Sequence, residues 1–126
     1  MASPSKRGVT YRPMVSCVLK NGEKEFPVSA LLDSGADYGL FNPSVAAWLG
    51  ITLGQGIECE VNVASGAAEK GFLHEIFIEL LGPPVKCEVI FLSREIAEFD
   101  PLLGRSGLFD QYRITFERNC TNFEEL

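Results

Sequence analysis

The chain reads as an all-β domain, on three observations. Turn-forming residues recur at short intervals, the segments between them alternate apolar and polar residues with period two, and helical spacing is confined to two brief stretches. With 126 residues there is room for one domain only. Hydrophobic residues make up 46% and charged residues 22%, close to the average for a soluble globular protein. No apolar run approaches the roughly 18–20 residues that a membrane span requires. The net charge of −6 argues against a nucleic-acid partner, because binding to phosphates needs a basic face. Peptides or small molecules are the expected partners.

Residues 13–20 and 24–32 flank Asn21-Gly22, whose tolerance of positive φ suits a tight hairpin, and Phe26, Val28, Ala30 and Leu32 fall on one face of the second arm. Asn42 to Gly50 reads as a short helix: Asn42 can cap it, Pro43 sits where a missing N–H costs nothing, and Gly50 can close it left-handed. Trp48 is then expected to pack. Ile57, Cys59, Val61 and Val63 alternate with polar residues. After the small-residue stretch 64–71, Phe72, His74, Ile76, Ile78 and Leu80 form a matching arm, giving a long hairpin. Taken alone, this hairpin fits an ordinary sheet element as well as a mobile cover. Pro83 and Pro84 stop it, and Val85 to Leu92 reads as another strand. A second short helix is expected over Ser106 to Tyr112, a last strand over Ile114 to Phe116, and a polar tail from Asn119 to Leu126.

The four cysteines form no C-x-x-C pair and His74 is the one histidine, so a zinc site is not expected; each cysteine reads as a small buried hydrophobe. No apolar stretch follows Lys6 and Arg7, which argues against a secretory signal and for a cytoplasmic protein with reduced thiols. His74 lies mid-strand with no orienting partner near it in sequence, which disfavours a histidine-based nucleophile. Neither a G-x-x-x-x-G-K-[ST] nor a strand-linked G-x-G-x-x-G phosphate cradle occurs. Carboxylates remain as the candidate chemistry.

In Ala30-Leu31-Leu32-Asp33-Ser34-Gly35-Ala36-Asp37 an apolar strand runs directly into Asp-Ser-Gly and brings an acid up against the core. The tripeptide alone also fits a plain turn, because Asp and Ser bond their own backbone and Gly supplies positive φ. Together with the hairpin over 57–80 and Pro101-Leu102-Leu103-Gly104-Arg105, followed by a short helix and Arg113-Ile114-Thr115-Phe116, the segment resembles the retropepsin-like (retroviral-type) aspartic proteases.

The resemblance implies a closed acid-protease barrel over residues 13–118, with an N-terminal extension over 1–12 and the tail over 119–126. It implies that Asp33 is the catalytic aspartate and that Ser34 supplies the hydroxyl bracing two active-site loops. Gly35 would turn its carbonyl to substrate, Ala36 would line the pocket, and Asp37 would touch the substrate backbone and pair with Arg105. Ala64, Ser65, Gly66 and Ala67 would form the tip of a flap. Tyr38 and Phe41 are candidates for the edge of a specificity pocket, core packing being the alternative for Phe41. Leu102 and Leu103 read as core, and Gly104 as the point where the chain crosses close behind the catalytic loop.

An aspartic protease needs two carboxylates about 3 Å apart that share a proton. One Asp-Ser-Gly per chain therefore implies a homodimer in which Asp33 meets its own copy across a two-fold axis. No metal or cofactor is required. The substrate would be an extended peptide or protein segment bound like an added strand, and the shared proton predicts activity at mildly acid pH. Two rivals follow from the same residues: a catalytically silent peptide-binding or dimerisation module on this fold, and a two-carboxylate glycosidase, for which no local pairing of acids is apparent.

Overall fold

The computed structural model describes residues 14–63, 66–108, 112–117 and 120–125, the last two stretches by their strand pairing. The expected extension over 1–12 lies outside the described residues. β1 (Met14–Asn21) and β2 (Lys24–Leu32) pair antiparallel from Met14↔Leu31 to Asn21↔Lys24, so the loop is Gly22-Glu23, with Gly22 at φ 60°. Asn21 ends the strand instead of occupying the turn, and its side-chain amide donates to the Leu49 carbonyl at 2.9 Å. β3 (Gly39–Phe41) precedes helix α1 (Pro43–Trp48) and a short 3-10 turn over Leu53–Gln55. β4 (Ile57–Asn62) and β5 (Ala68–Glu79) form the long hairpin, followed by β6 (Val85–Leu92) and β7 (Leu102–Leu103).

These strands form one sheet in the order β1-β2-β7-β3-β6-β5-β4, and a second pairing of β1 with β5, from Val18↔Glu79 to Lys20↔Phe77, closes it. The result is a six-stranded barrel with β4 appended to β5. Closure removes the free edges that an open sheet would present. Inside lie Leu19, Leu32, Phe41, Ile76, Ile78, Val89, Phe91 and Leu103, all buried, with the Phe41 and Phe91 rings 6.2 Å apart. Ile90 and Leu92, on the opposite face of β6, join Leu40 in a second apolar cluster, covered by Cys59, Val61 and Val63 of the β4 arm and by Ile96 and Phe99. From Val89 to Leu92 β6 is thus buried on both faces, which explains the unbroken apolar run there.

Some expectations hold and others need correction. Trp48 is 63% exposed; its ring meets Phe26 edge-on at 6.2 Å and its Nε1–H donates to the Glu25 carbonyl, so it covers the barrel's flank instead of filling its core. Asn42 stands at the N-cap position without capping through its side chain, which instead exchanges two 3.0 Å hydrogen bonds with the backbone of Ile96. Phe41 is core. Ile57, expected on an inward face, is exposed, while Cys17 and Cys87 are buried and Cys59 is half-buried. The hairpin tip is shorter than 64–71, because β5 already begins at Ala68.

Of the helix expected over Ser106 to Tyr112, Leu108 is helical, while Ser106 and Gly107 form a turn and Tyr112 already begins a strand; residues 109–111 lie outside the described residues. β8 (Tyr112–Glu117) pairs antiparallel with β9 (Cys120–Glu125), the segment expected as a tail, in a two-stranded sheet separate from the barrel. Among the described residues no helix is long and apolar enough to cross a membrane.

Candidate active site

β7 lies between β2 and β3, parallel to the first (Leu31↔Leu102, Leu32↔Leu103) and antiparallel to the second (Leu40↔Leu102). The segment joining β2 to β3 is Asp33–Tyr38, so the loop that carries the sequence signature must pass over the end of β7. Four main-chain hydrogen bonds hold the two segments together. Leu31 N–H donates to Pro101 O at 2.8 Å, and Asp33 N–H to Leu103 O, Arg105 N–H to Ala36 O and Ser106 N–H to Asp37 O, each at 2.9 Å. Apolar Leu32 and Leu103, both buried, anchor the two strands to the core, and the polar loop emerges directly beyond them.

Within the loop, Ala36 N–H donates to Asp33 O at 3.2 Å and Gly35 N–H donates to Asp33 Oδ1 at 2.9 Å. The second bond is a side-chain-to-backbone contact of the kind that Asp makes two residues on. It turns the carboxylate over its own loop and fixes its orientation. Asp33 is half-buried, as is Ala36, whereas Ser34, Gly35, Asp37 and Tyr38 are exposed and follow one another along one loop. Gly104 is the close crossing expected from sequence: a Cβ there would lie 2.5 Å from both the carbonyl carbon and the oxygen of Tyr38. Only glycine lets β7 continue behind the loop at this distance.

The β4–β5 hairpin extends beyond the barrel wall. Gly66 (φ 88°) donates to Val63 O at 2.8 Å, and Val63 N–H donates to Ala67 O at 3.0 Å, which closes the hairpin end. Ala64 and Ser65, the other two expected flap residues, lie outside the described residues. Arg105 is exposed and joins the Asp33 loop through its main chain. His74 is a packing residue of β5, its Nε2 3.0 Å from Leu53 O and its ring edge-on to Phe91 at 5.8 Å.

Sequence reasoning missed Glu69, which it assigned to the hairpin tip. Glu69 is the one buried charged residue among those described, and Arg94 grips its carboxylate through Nε–Oε1 at 3.0 Å and Nη2–Oε2 at 2.6 Å. The partners are 25 positions apart, and no local pattern announces such a pair. Among the described residues no group of three or more His, Cys, Asp or Glu side chains could hold a metal ion.

No family model matches the chain, and no curated protein matches it in sequence. Its backbone is similar to those of 35 solved chains, three of which are as follows. EIAV protease complexed with the inhibitor HBY-793 matches with a TM-score of 0.56 and 19% identity, over 80% of this chain and 88% of that one. A retropepsin-like aspartic protease from Rickettsia conorii matches with a TM-score of 0.62 and 15% identity, over 84% of both chains. The retroviral protease-like domain of Ddi1 from Leishmania major matches with a TM-score of 0.62 and 18% identity, over 91% of this chain and 90% of that one. The barrel therefore has the retropepsin-like fold.

Proposed function

We propose that the chain, with residues 13–118 as its protease domain, is one subunit of a homodimeric aspartic endopeptidase. The observation that carries this reading is the Asp33 loop: a half-buried carboxylate at the end of β2, its amide tied to β7, its oxygen oriented by Gly35 N–H, and an exposed polar run beside it. A fixed carboxylate contributes to catalysis by holding a reacting water in line, and two of them can divide the roles of base and acid. In the dimer Asp33 faces the partner's copy. The ionised member takes a proton from water attacking the scissile carbonyl, and the protonated member hydrogen-bonds the carbonyl oxygen as charge develops on it.

Ser34 braces the two loops, Gly35 and Ala36 contact the peptide, and Asp37, positioned by Arg105, reads its main chain, with Tyr38 at the pocket edge. The β4–β5 hairpin, with Ala64–Ala67 at its tip, covers an extended peptide or protein substrate. The β8–β9 hairpin supports dimerisation: a two-stranded ribbon is marginal by itself and gains stability when another sheet or chain packs on it. Cys17, Cys59 and Cys87 stand as thiols, which suits a reducing, cytoplasmic location.

The test is cleavage of a peptide library at mildly acid pH by a preparation shown to be dimeric by sedimentation. Wild type cleaves, a statine-type inhibitor blocks it, and Asp33→Asn lowers the rate by about 10²–10⁴-fold without unfolding the chain. A verified dimer that cleaves nothing over a broad pH range would replace the proposal with the silent binding module.

A further inference from the structure

We propose that Arg94 is a positioning residue that sets where the β4–β5 hairpin stands relative to the Asp33 loop. The inference rests on reading that hairpin as the cover of the site. Glu69 lies on β5 directly opposite Val61 of β4, next to the hairpin end, and is only 9% exposed. A carboxylate so placed needs a partner that satisfies both oxygens. Arg94, two residues beyond β6, reaches in from a side chain that is 66% exposed and supplies that fork, a geometry that an ammonium group cannot reproduce.

The pair is part of a bracket. Beside it Ser93 N–H donates to Lys70 O at 2.9 Å, and Ile96 and Phe99 pack on the same Leu40, Ile90 and Leu92 cluster as Cys59, Val61 and Val63 of the hairpin. The segment carrying these residues is in turn bolted to the barrel. Asn42 holds the Ile96 backbone, and Glu95 accepts from Ser44 N–H at 3.1 Å and Ser44 Oγ–H at 2.7 Å. It then runs through Pro101, whose carbonyl accepts from Leu31, into β7, which holds the Asp33 amide. One continuous chain of fixed contacts thus leads from the hairpin arm to the candidate catalytic loop, and the Arg94–Glu69 ion pair is its joint to the hairpin.

Removing the guanidinium leaves Glu69 buried and unpaired, and the cheapest relief is for the arm to lift until water reaches the carboxylate. The barrel interior, on the other side of β6, does not depend on this contact. Hydrogen exchange followed by mass spectrometry tests this on the full chain without requiring activity. In Arg94→Ala, peptides covering 57–62 and 68–73 exchange at least about tenfold faster while those covering 14–20 and 76–79 keep their wild-type rates, and Arg94→Lys falls between. In a cleavage assay the same variants raise KM several-fold, on the order of three to ten, with little change in kcat. Unchanged hairpin exchange in Arg94→Ala, or equal acceleration in hairpin and barrel, would overturn the proposal. If wild type does not cleave, the protease reading fails by itself while the exchange result still decides the role of Arg94.

Discussion

Gly104→Ala is the sharpest test of the packing behind the Asp33 loop. The new Cβ would sit 2.5 Å from the Tyr38 carbonyl carbon and oxygen and 2.7 Å from its nitrogen, all three backbone atoms in a segment already fixed by hydrogen bonds. Ordinary contact begins at 3.4 Å, so loop and strand must separate by roughly an ångström, a displacement that no rotamer change can absorb. That movement stretches the 2.9 Å bonds from Arg105 N–H to Ala36 O and from Ser106 N–H to Asp37 O. Overpacking of about 1–3 kcal/mol together with about 1 kcal/mol for a weakened hydrogen bond gives about 2–4 kcal/mol. In a domain of this size the cost appears as a fall in Tm of about 8–16 °C. The assay is thermal unfolding followed by circular dichroism, with wild type and variant at equal concentration because dimerisation would couple to stability. Gly54→Ala is the control: its Cβ meets nothing within 4 Å, and its effect stays within about 0.5 kcal/mol. A Gly104→Ala protein melting within about 2 °C of wild type would refute the reasoning, since the strand would then have room to spare.

Truncating Phe91, fully buried between Phe41 and His74, costs about 3–5 kcal/mol, whereas Trp48→Ala on the exposed flank costs about 1 kcal/mol or less; urea unfolding of both variants separates the two environments. Burial pushes the Cys17 thiol up to about 11 and, with a smaller contribution from nearby Cys17, the Cys87 thiol up to about 12, from an ordinary 9.0. In the native protein at pH 8, a disulfide reagent should therefore label Cys59 well before either of them. The sign of the linked stability follows. Above pH 9 the unfolded chain releases thiol protons that the folded chain retains, so this contribution is whole below pH 9 and is lost as the pH rises toward 11–12. The urea midpoint should fall between pH 9 and 11, and Cys17→Ala/Cys87→Ala should flatten that fall.

Much of the barrel was legible because its longer strands bury one face and therefore alternate. The β1–β2 and β4–β5 hairpins follow from period two and small-residue turns, and Asp33 stood out as an acid ending an apolar strand. β3 and β7 were not legible. Gly39-Leu40-Phe41 is buried throughout and Leu102-Leu103 is two residues long, so neither displays a period, and their parallel partners lie far off in sequence. Trp48 packs, but on the barrel's flank against Phe26, because its Nε1–H seeks a carbonyl near the surface, a placement that size alone does not encode. Cys120–Glu125 pairs as a strand despite its polar composition, through backbone bonding that composition does not encode. Glu69 was hidden because a buried charge is licensed only by a tertiary partner.

The most direct test of the central claim, that one carboxylate per chain becomes a dyad across a two-fold axis, is the binding stoichiometry of a statine-type transition-state analogue measured by titration calorimetry. The account predicts one inhibitor bound per two chains, with binding lost in Asp33→Asn while the dimer persists. One inhibitor per chain, or binding that survives Asp33→Asn unchanged, would contradict it.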